Sequence, residues 1–102
     1  NGEVYDLHSY NLKNNKAYND KLFSFARFNQ EQKLIVISNF SNEAVELDLL
    51  IPNELVIEWK LNQSTFFLKE LFTSENYQVK IKNGIGYISQ LVKPYDSIVL
   101  NF

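Results

Sequence analysis

The sequence predicts an all-β domain of about eight short antiparallel strands, arranged as a sandwich or a small barrel. Apolar residues recur at every second position in several segments, and turn signals follow one another about every ten residues. No long amphipathic helix separates the predicted strands, which disfavours a parallel α/β fold. The chain has 102 residues, 45% of them hydrophobic, so residues 1–102 have the size and composition of one domain with its own core.

The first half of the chain contains the predicted centre of one sheet. Residues 3–7 are interpreted as a short edge strand, and the polar, Asn-rich residues 11–21 as the most mobile surface loop. Leu22–Phe28 and Lys33–Asn39 are apolar-rich and are joined by a short polar segment of hairpin length, so we expect them to pair antiparallel. Residues 34–37 are apolar on both faces, which is typical of a central strand.

The second half contains the clearest turn signal. Val45–Ile51 alternates apolar and polar residues and predicts a half-buried strand. Asn83 and Gly84 can supply the two positive-φ positions of a type I′ turn, which predicts a hairpin between residues 77–82 and 85–89. Further strands are predicted over residues 65–73 and 96–102, the second of them preceded by Pro94, a residue that would interrupt a central strand.

Residues 53–61 allow two interpretations. One is a strand, because apolar residues occupy every second position from 55 to 61. The other is a short helical turn near 53–60, capped by Asn53 and buried through Leu55, Val56 and Trp59. We favour the helical turn.

Composition excludes several classes of function. Ten basic and twelve acidic side chains give a net charge of −2, which disfavours nucleic acid as a partner. The longest apolar stretches are far shorter than the ~20 residues of a membrane helix, so no membrane partner is predicted. Cysteine is absent, which excludes disulfides and thiolate metal sites but leaves the compartment open. Methionine is also absent, and we therefore expect the chain to be a piece of a longer protein.

The residue types that perform catalysis do not form a recognisable pattern. His8 is the single histidine, and it is interpreted as a surface or interface residue. The three glycines cannot form a phosphate-binding loop. Two carboxylate pairs have spacings that place them on one face, Glu46 with Asp48 and Glu54 with Glu58, and both are interpreted as solvated surfaces. The sequence predicts no catalytic residue, no bound metal and no cofactor.

Four strings, in order along the chain, resemble the C-terminal domain of α-amylase family (family 13-type) glycoside hydrolases. The opening NGEVYDL is similar to the segment that follows the catalytic barrel in a bacterial group of these enzymes. LFSFAR, at residues 22–27, resembles an aromatic-small-Phe-x-Arg strand of the family. KLIVISNFS, at residues 33–41, resembles an apolar strand ending in Asn-Phe-Ser, and LVKPYDSIVL, at residues 91–100, resembles a Pro-Tyr ending followed by a last strand.

The resemblance implies a Greek-key β-sandwich that packs against, and stabilises, a catalytic (β/α)8 barrel acting on α-glucans. The barrel, which holds the catalytic carboxylates, would be the partner, and this chain would not itself be an enzyme. Two other functions stay open. The chain is alternatively a carbohydrate-binding module for starch or maltooligosaccharides, or an unrelated interaction sandwich.

Two sets of residues follow from these hypotheses. Asn39 is expected to hydrogen-bond the turn after its strand and to fix Phe40 against the core. Arg27 is expected either to pair with an acidic neighbour or to be exposed at the edge that faces the barrel. Pro94 is expected to preset the chain before the last strand, with the Tyr95 hydroxyl anchoring that corner. A sugar platform would need two adjacent exposed aromatic rings, and the candidates are Trp59, Phe67 and Tyr77, together with Tyr10 and Tyr18.

Overall fold

A computed structural model describes residues 2–102, and in it eight strands and two short helices form two sheets. The strands are β1 (Glu3–Tyr5), β2 (Leu22–Phe28), β3 (Lys33–Asn39), β4 (Val45–Ile51), β5 (Thr65–Lys69), β6 (Asn76–Lys82), β7 (Ile85–Val92) and β8 (Ser97–Asn101). The helices are α1 (Leu7–Asn14) and α2 (Asn53–Glu58). No helix in this described part of the chain is both long and apolar enough to cross a membrane.

The two sheets have four strands each, and every strand pair is antiparallel. The first sheet has the order β1-β2-β3-β8 and the second β4-β7-β6-β5. In the second sheet β4 lies beside β7, the last of three consecutive strands, which is the strand order of a Greek key. The chain changes sheet between β3 and β4 and again between β7 and β8. The predicted all-β class and the number of strands are confirmed.

The core lies between the sheets and follows the period-two alternation of the strands. In β4 the alternate residues Val45, Leu47, Leu49 and Ile51 are all buried, whereas Glu46 is exposed. The central strand β3 buries Ile35 and Ile37 between β2 and β8. Each fully buried aliphatic side chain of this kind contributes about 1.5–3 kcal/mol of hydrophobic free energy, so the alternation fixes which face of each strand points inward.

Both predicted hairpins are present. β2 pairs with β3 from Leu22 opposite Asn39 to Phe28 opposite Lys33. The connection is closed by Asn29, whose Oδ1 accepts the N–H groups of two residues in the loop. Between β6 and β7, Asn83 and Gly84 have φ values of 52° and 75°, as a type I′ turn requires.

The predicted mobile loop over residues 11–21 is wrong in its first part, which belongs to α1. The predicted strand over residues 3–7 ends at Tyr5, because the Asp6 side chain accepts the N–H of Ser9 at 2.9 Å and caps the helix. Leu7 and Asn11 form the buried face of α1. A helix that buries one apolar residue and one amide shows almost no apolar periodicity, which is why the pattern suggested a loop.

Helix α2 confirms the helical interpretation of residues 53–60. Leu55, Val56 and Trp59 are buried as predicted. Asn53 is not the capping residue, since the helix begins after Pro52 without a side-chain cap. The Asn53 amide instead donates to the carbonyl of Gly84 at 2.9 Å, which links α2 to the β6–β7 turn.

The predicted strand over residues 65–73 is shorter in the structure. β5 ends at Lys69, and Glu70 then forms an isolated bridge with Leu100 in the other sheet. The chain beyond β5 therefore leaves the second sheet and lies along the outer edge of the first.

Candidate functional site

His8 is the first residue to consider as a functional group, since it is the single histidine of the chain. In the structure it belongs to a small network of hydrogen bonds. Its Nδ1 lies 2.9 Å from the Tyr18 hydroxyl, which lies 3.0 Å from Ser24 Oγ and donates to the carbonyl of Leu22 at 3.2 Å. Burial raises the pKa of Tyr18. Ser24 is completely buried, so its hydroxyl cannot reach a substrate. The network ties α1 and the segment after it to β2.

In each of the two carboxylate pairs noted in the sequence, one member has a hydrogen-bond partner outside the pair. Asp48 accepts a hydrogen bond from Ser89 Oγ at 3.1 Å, across β4 and β7. Glu54 accepts the hydroxyl of Tyr5. Burial, and then this hydrogen bond, raise the pKa of Tyr5 to about 12. Within residues 2–102, no group of three or more His, Cys, Asp or Glu side chains is placed to hold a metal ion.

Asn39 lies at the end of β3 and is buried. Its Oδ1 accepts the N–H and the hydroxyl of Ser41, at 2.9 and 2.8 Å. Its Nδ2 donates to the carbonyl of Glu43 at 2.7 Å, and the carbonyls of Val92 and Lys93 lie 3.2 Å away. The side chain therefore links the turn after β3 to the end of β7, which is the turn contact expected from the sequence and a link between the two sheets.

Two of the three further expectations at this corner need correction. Phe40 is 71% exposed and does not pack into the core, because Asn39 points inward and the next residue of an extended chain points outward. Tyr95 is 72% exposed, and the corner is anchored by its backbone N–H, which donates to the Ser41 carbonyl at 3.2 Å, rather than by its hydroxyl. Pro94 lies in the turn between β7 and β8, outside both ladders, as expected.

Arg27 is exposed on β2, opposite Val4 and Leu34. Among residues 2–102 the one ion pair joins Lys21 to Glu43, at 3.3 Å. Of the two alternatives for Arg27, the structure therefore has the exposed side chain and not the acidic pair.

The three residues proposed as a sugar platform do not come together on the surface. Trp59 and Tyr77 are 3% and 7% exposed. Trp59 directly follows α2 and packs into the core, and Tyr77 belongs to the inward-facing residues of β6. Trp59 packs between Phe28 and Phe102, with ring centroids 5.5 and 5.0 Å away. Phe67 is exposed on β5. Of the other two candidates, Tyr18 is buried and Tyr10 is half-buried, so no exposed pair forms.

The surface feature that sequence reasoning did not locate is the outer face of the first sheet. Phe25 of β2 lies opposite Val36 of β3, which lies opposite Val99 of β8. Leu71 extends this row, since its N–H donates to the Val99 carbonyl at 2.8 Å. Phe23 lies beside Phe25, with ring centroids 6.1 Å apart. We call these five residues the outer apolar face.

The outer apolar face continues along its rim. Phe40 and Phe72 are 71% and 78% exposed, and each follows directly on a chain segment that borders the face. The His8 ring packs against Phe23 at a tilt of 37°, with ring centroids 5.2 Å apart.

The apolar row crosses β2, β3 and β8, and the adjoining row of the same face is polar on β3 and β8, with Ser38 hydrogen-bonded to Ser97. An apolar row with exposed aromatic side chains at its rim is a candidate interaction surface. Phe23 and Phe25 alternate along β2 with the buried residues Leu22, Ser24 and Ala26, so the sequence assigns them to one face without showing that this face is uncovered.

A buried carboxylate holds one edge of this face. Glu70 is 3% exposed, and its two oxygens accept the N–H groups of Phe72, Thr73 and Val99 at 2.7–2.9 Å. Burial acts to raise the pKa of Glu70, but the three backbone donors outweigh it and hold this pKa below its usual value. Glu70 thus fixes the segment that carries Leu71 and Phe72 beside β8.

Comparison with known proteins gives a likeness of fold. No protein-family model matches the chain, and no curated protein matches it. Among solved structures, the chain is similar to part of AmyP, which was determined in complex with maltotriose. The likeness has a TM-score of 0.52 at 15% sequence identity and covers 81% of this chain. The chain spans 14% of the length of the AmyP chain, so it matches a small part of a much larger protein.

Proposed function

We propose that this chain is a non-catalytic accessory domain of an α-amylase-type glycoside hydrolase acting on α-glucans, and that it stabilises the catalytic (β/α)8 barrel by packing against it. The observation that carries the proposal is the outer apolar face. It offers an apolar row of half-buried Phe25, Val36 and Val99 and exposed Leu71, and no other element of residues 2–102 packs over that row. A barrel domain is a partner large enough to cover a whole sheet.

Two further observations support the same partner. The strings that resemble the C-terminal domain of these enzymes include β2 and β3, the two strands that contribute Phe23, Phe25 and Val36 to the face. The fold is similar to a segment of AmyP, a protein determined with a bound α-glucan fragment, maltotriose, and the remaining length of that protein is far greater than this domain.

The first test is to extend the reading frame upstream of this chain. We expect it to encode a barrel with paired catalytic carboxylates, and an unrelated upstream domain would contradict the proposal. The chain alone is then assayed against starch and maltooligosaccharides. Because the proposal places the chemistry in the barrel, we expect no hydrolysis, and hydrolysis by the purified chain would refute it.

The second test measures docking to the barrel encoded by the same gene and purified separately. Phe23→Ser and Phe25→Ser should each weaken the association, roughly tenfold or more, because each removes an aromatic contact from the centre of the interface. Phe67→Ser, on the outer face of the other sheet, is the matched control and should leave the affinity unchanged. An equal loss in all three variants, or in none, would rule out the outer apolar face as the docking surface.

A further inference from the structure

The opposite side of the sandwich carries a cleft of about 350 Å³ on the outer face of the second sheet. Its floor is formed by neighbouring rows of that sheet. Leu50, Tyr87 and Lys80 lie opposite one another on β4, β7 and β6, and Asp48 lies opposite Ser89 in the adjoining row. The end of α1 forms one wall through Asn15. The outer apolar face lies on the other side of the molecule, so docking there leaves this cleft open.

Tyr87 is the aromatic group of the cleft and is 42% exposed. It projects outward because its neighbours on β7, Gly86 and Ile88, are buried. Half-buried Leu50 beside it adds an aliphatic contact. An aromatic ring with a polar end, set among a few convergent polar groups, is the usual composition of a small-molecule site, and the C–H face of a sugar ring packs on such a surface.

The polar groups around Tyr87 can both donate and accept hydrogen bonds. Asp48 uses Oδ1 for Ser89, and a carboxylate has a second oxygen available for a hydroxyl. Gln78 and Lys80 also line the cleft, and both are exposed on β6. The Gln78 amide both donates and accepts, and the Lys80 ammonium donates.

The charges in the cleft favour a neutral ligand. It contains one carboxylate, Asp48, and one ammonium group, Lys80. An anion would lie near the carboxylate and a cation near the ammonium, so neither gains a net attraction. A neutral polyol can use both groups, because a hydroxyl can donate a hydrogen bond to the Asp48 carboxylate and accept one from the Lys80 ammonium.

We propose that this cleft is a binding site for a neutral oligosaccharide, with Tyr87 against a sugar ring and Asp48, Gln78 and Lys80 on its hydroxyls. The cleft itself does not depend on the accessory-domain hypothesis. The choice of an α-1,4-linked glucan as ligand does rest on that proposed function. Its volume of about 350 Å³ lies at the lower end of the range for small-molecule sites.

The test is a titration of the ¹⁵N-labelled chain with maltoheptaose, with cellohexaose and with inorganic phosphate, followed by amide shifts. We expect maltoheptaose to shift amides of β4, β6 and β7 around the cleft. Tyr87→Ala should weaken this binding roughly tenfold. Tyr95→Ala, which removes an exposed tyrosine outside the cleft, is the matched control and should bind as the unaltered chain does. Asp48→Asn should weaken binding without unfolding the domain, and a thermal melt of each variant verifies the fold.

The outcomes separate the two proposals. Shifts at the cleft with cellohexaose and not with maltoheptaose would support the saccharide site and count against the α-glucan assignment. Shifts with phosphate alone, shifts confined to other surfaces, or the absence of shifts with both sugars would overturn the site while leaving docking through the outer apolar face unaffected. Equal binding by Tyr87→Ala and Tyr95→Ala would also overturn it.

Discussion

The side-chain amide of Asn11 pairs with both backbone groups of Leu50, as another strand would. Its Oδ1 accepts the Leu50 N–H at 2.8 Å, and its Nδ2 donates to the Leu50 carbonyl at 3.0 Å. Leu50 belongs to β4, the edge strand of the second sheet, and Asn15 adds a bond from its Nδ2 to the Asp48 carbonyl at 2.8 Å. The side chains of Asn11 and Asn15 therefore pair with backbone N–H and C=O groups at the edge of the second sheet. Without them these groups would be free to pair with a strand of another chain.

Replacing Asn11 with alanine should destabilise the domain by about 2–4 kcal/mol, because the partly buried N–H and carbonyl of Leu50 both lose their hydrogen-bond partner. Asn14→Ala, on an exposed position of the same helix, is the matched control and should change the free energy of unfolding by less than about 0.5 kcal/mol. Urea denaturation followed by far-ultraviolet circular dichroism measures both. A similar small effect in the two variants would show that the amide does not secure the strand edge.

Glu70→Gln should lower the free energy of unfolding by about 2 kcal/mol at neutral pH, because a carboxylate that accepts three backbone N–H groups is replaced by an amide with one acceptor oxygen. Glu75→Gln, an exposed neighbour on the same turn, is the control and should have little effect. Urea denaturation of the two variants beside the unaltered chain provides the comparison.

The same carboxylate makes stability depend on pH. The pKa of Glu70 is lower in the folded chain than its ordinary value of 4.5, so its contribution is complete above about pH 4.5 and is lost as the pH falls through that value toward the folded pKa. The difference between the unaltered chain and Glu70→Gln should therefore shrink in acid. If the difference in free energy of unfolding between the two stayed constant down to the pH of acid unfolding, the pKa of Glu70 would not be depressed in the folded chain.

Tyr95 occupies a backbone conformation that favours glycine. Its φ is 55°, and Asp96 donates its N–H to the Lys93 carbonyl at 3.2 Å, which gives a turn with Pro94 at its second position and a positive φ at its third. Tyr95→Gly should raise the free energy of unfolding by roughly 0.5–1 kcal/mol, because the left-handed strain disappears. Asn83, with φ of 52°, is the comparison. Asn83→Gly should raise the free energy of unfolding by less, since asparagine tolerates the left-handed region. Thermal and urea unfolding test the pair, and a loss of stability in Tyr95→Gly would show that its side chain contributes more than the strain costs.

The features that the sequence predicts correctly are formed by residues that are close to one another along the chain. The β2–β3 hairpin, the Asn83-Gly84 turn and the bond from Asn39 to Ser41 each depend on residues within a few positions of one another. Asn11 and Glu70 could not be recognised in the same way, because their backbone partners Leu50 and Val99 lie 39 and 29 positions away. A polar residue that is buried by distant partners looks, in sequence, like any surface residue.

The outer apolar face was missed for a related reason. Period two shows that a strand has two faces, but when both are apolar, as in β2 and β3, it does not show which one is left uncovered. The burial of Tyr77 was available from the pattern, since Tyr77 alternates in step with Val79 and Ile81. Proposing it for a sugar platform gave more weight to its aromatic ring than to its position in the strand.

The burial of Trp59 offers a spectroscopic test of where sugar binds. Trp59 is the single tryptophan and packs between Phe28 and Phe102, away from solvent. Its emission should be blue-shifted in the folded chain and should move to longer wavelength on unfolding, because the indole then enters water. Maltoheptaose at concentrations that shift the amides around Tyr87 should leave this emission unchanged, since Trp59 does not line the proposed cleft. The Trp59→Phe variant gives the background emission that does not come from Trp59. Quenching of Trp59 by the sugar, or by acrylamide in the folded chain, would place the ring at the surface and restore it as a candidate for direct stacking.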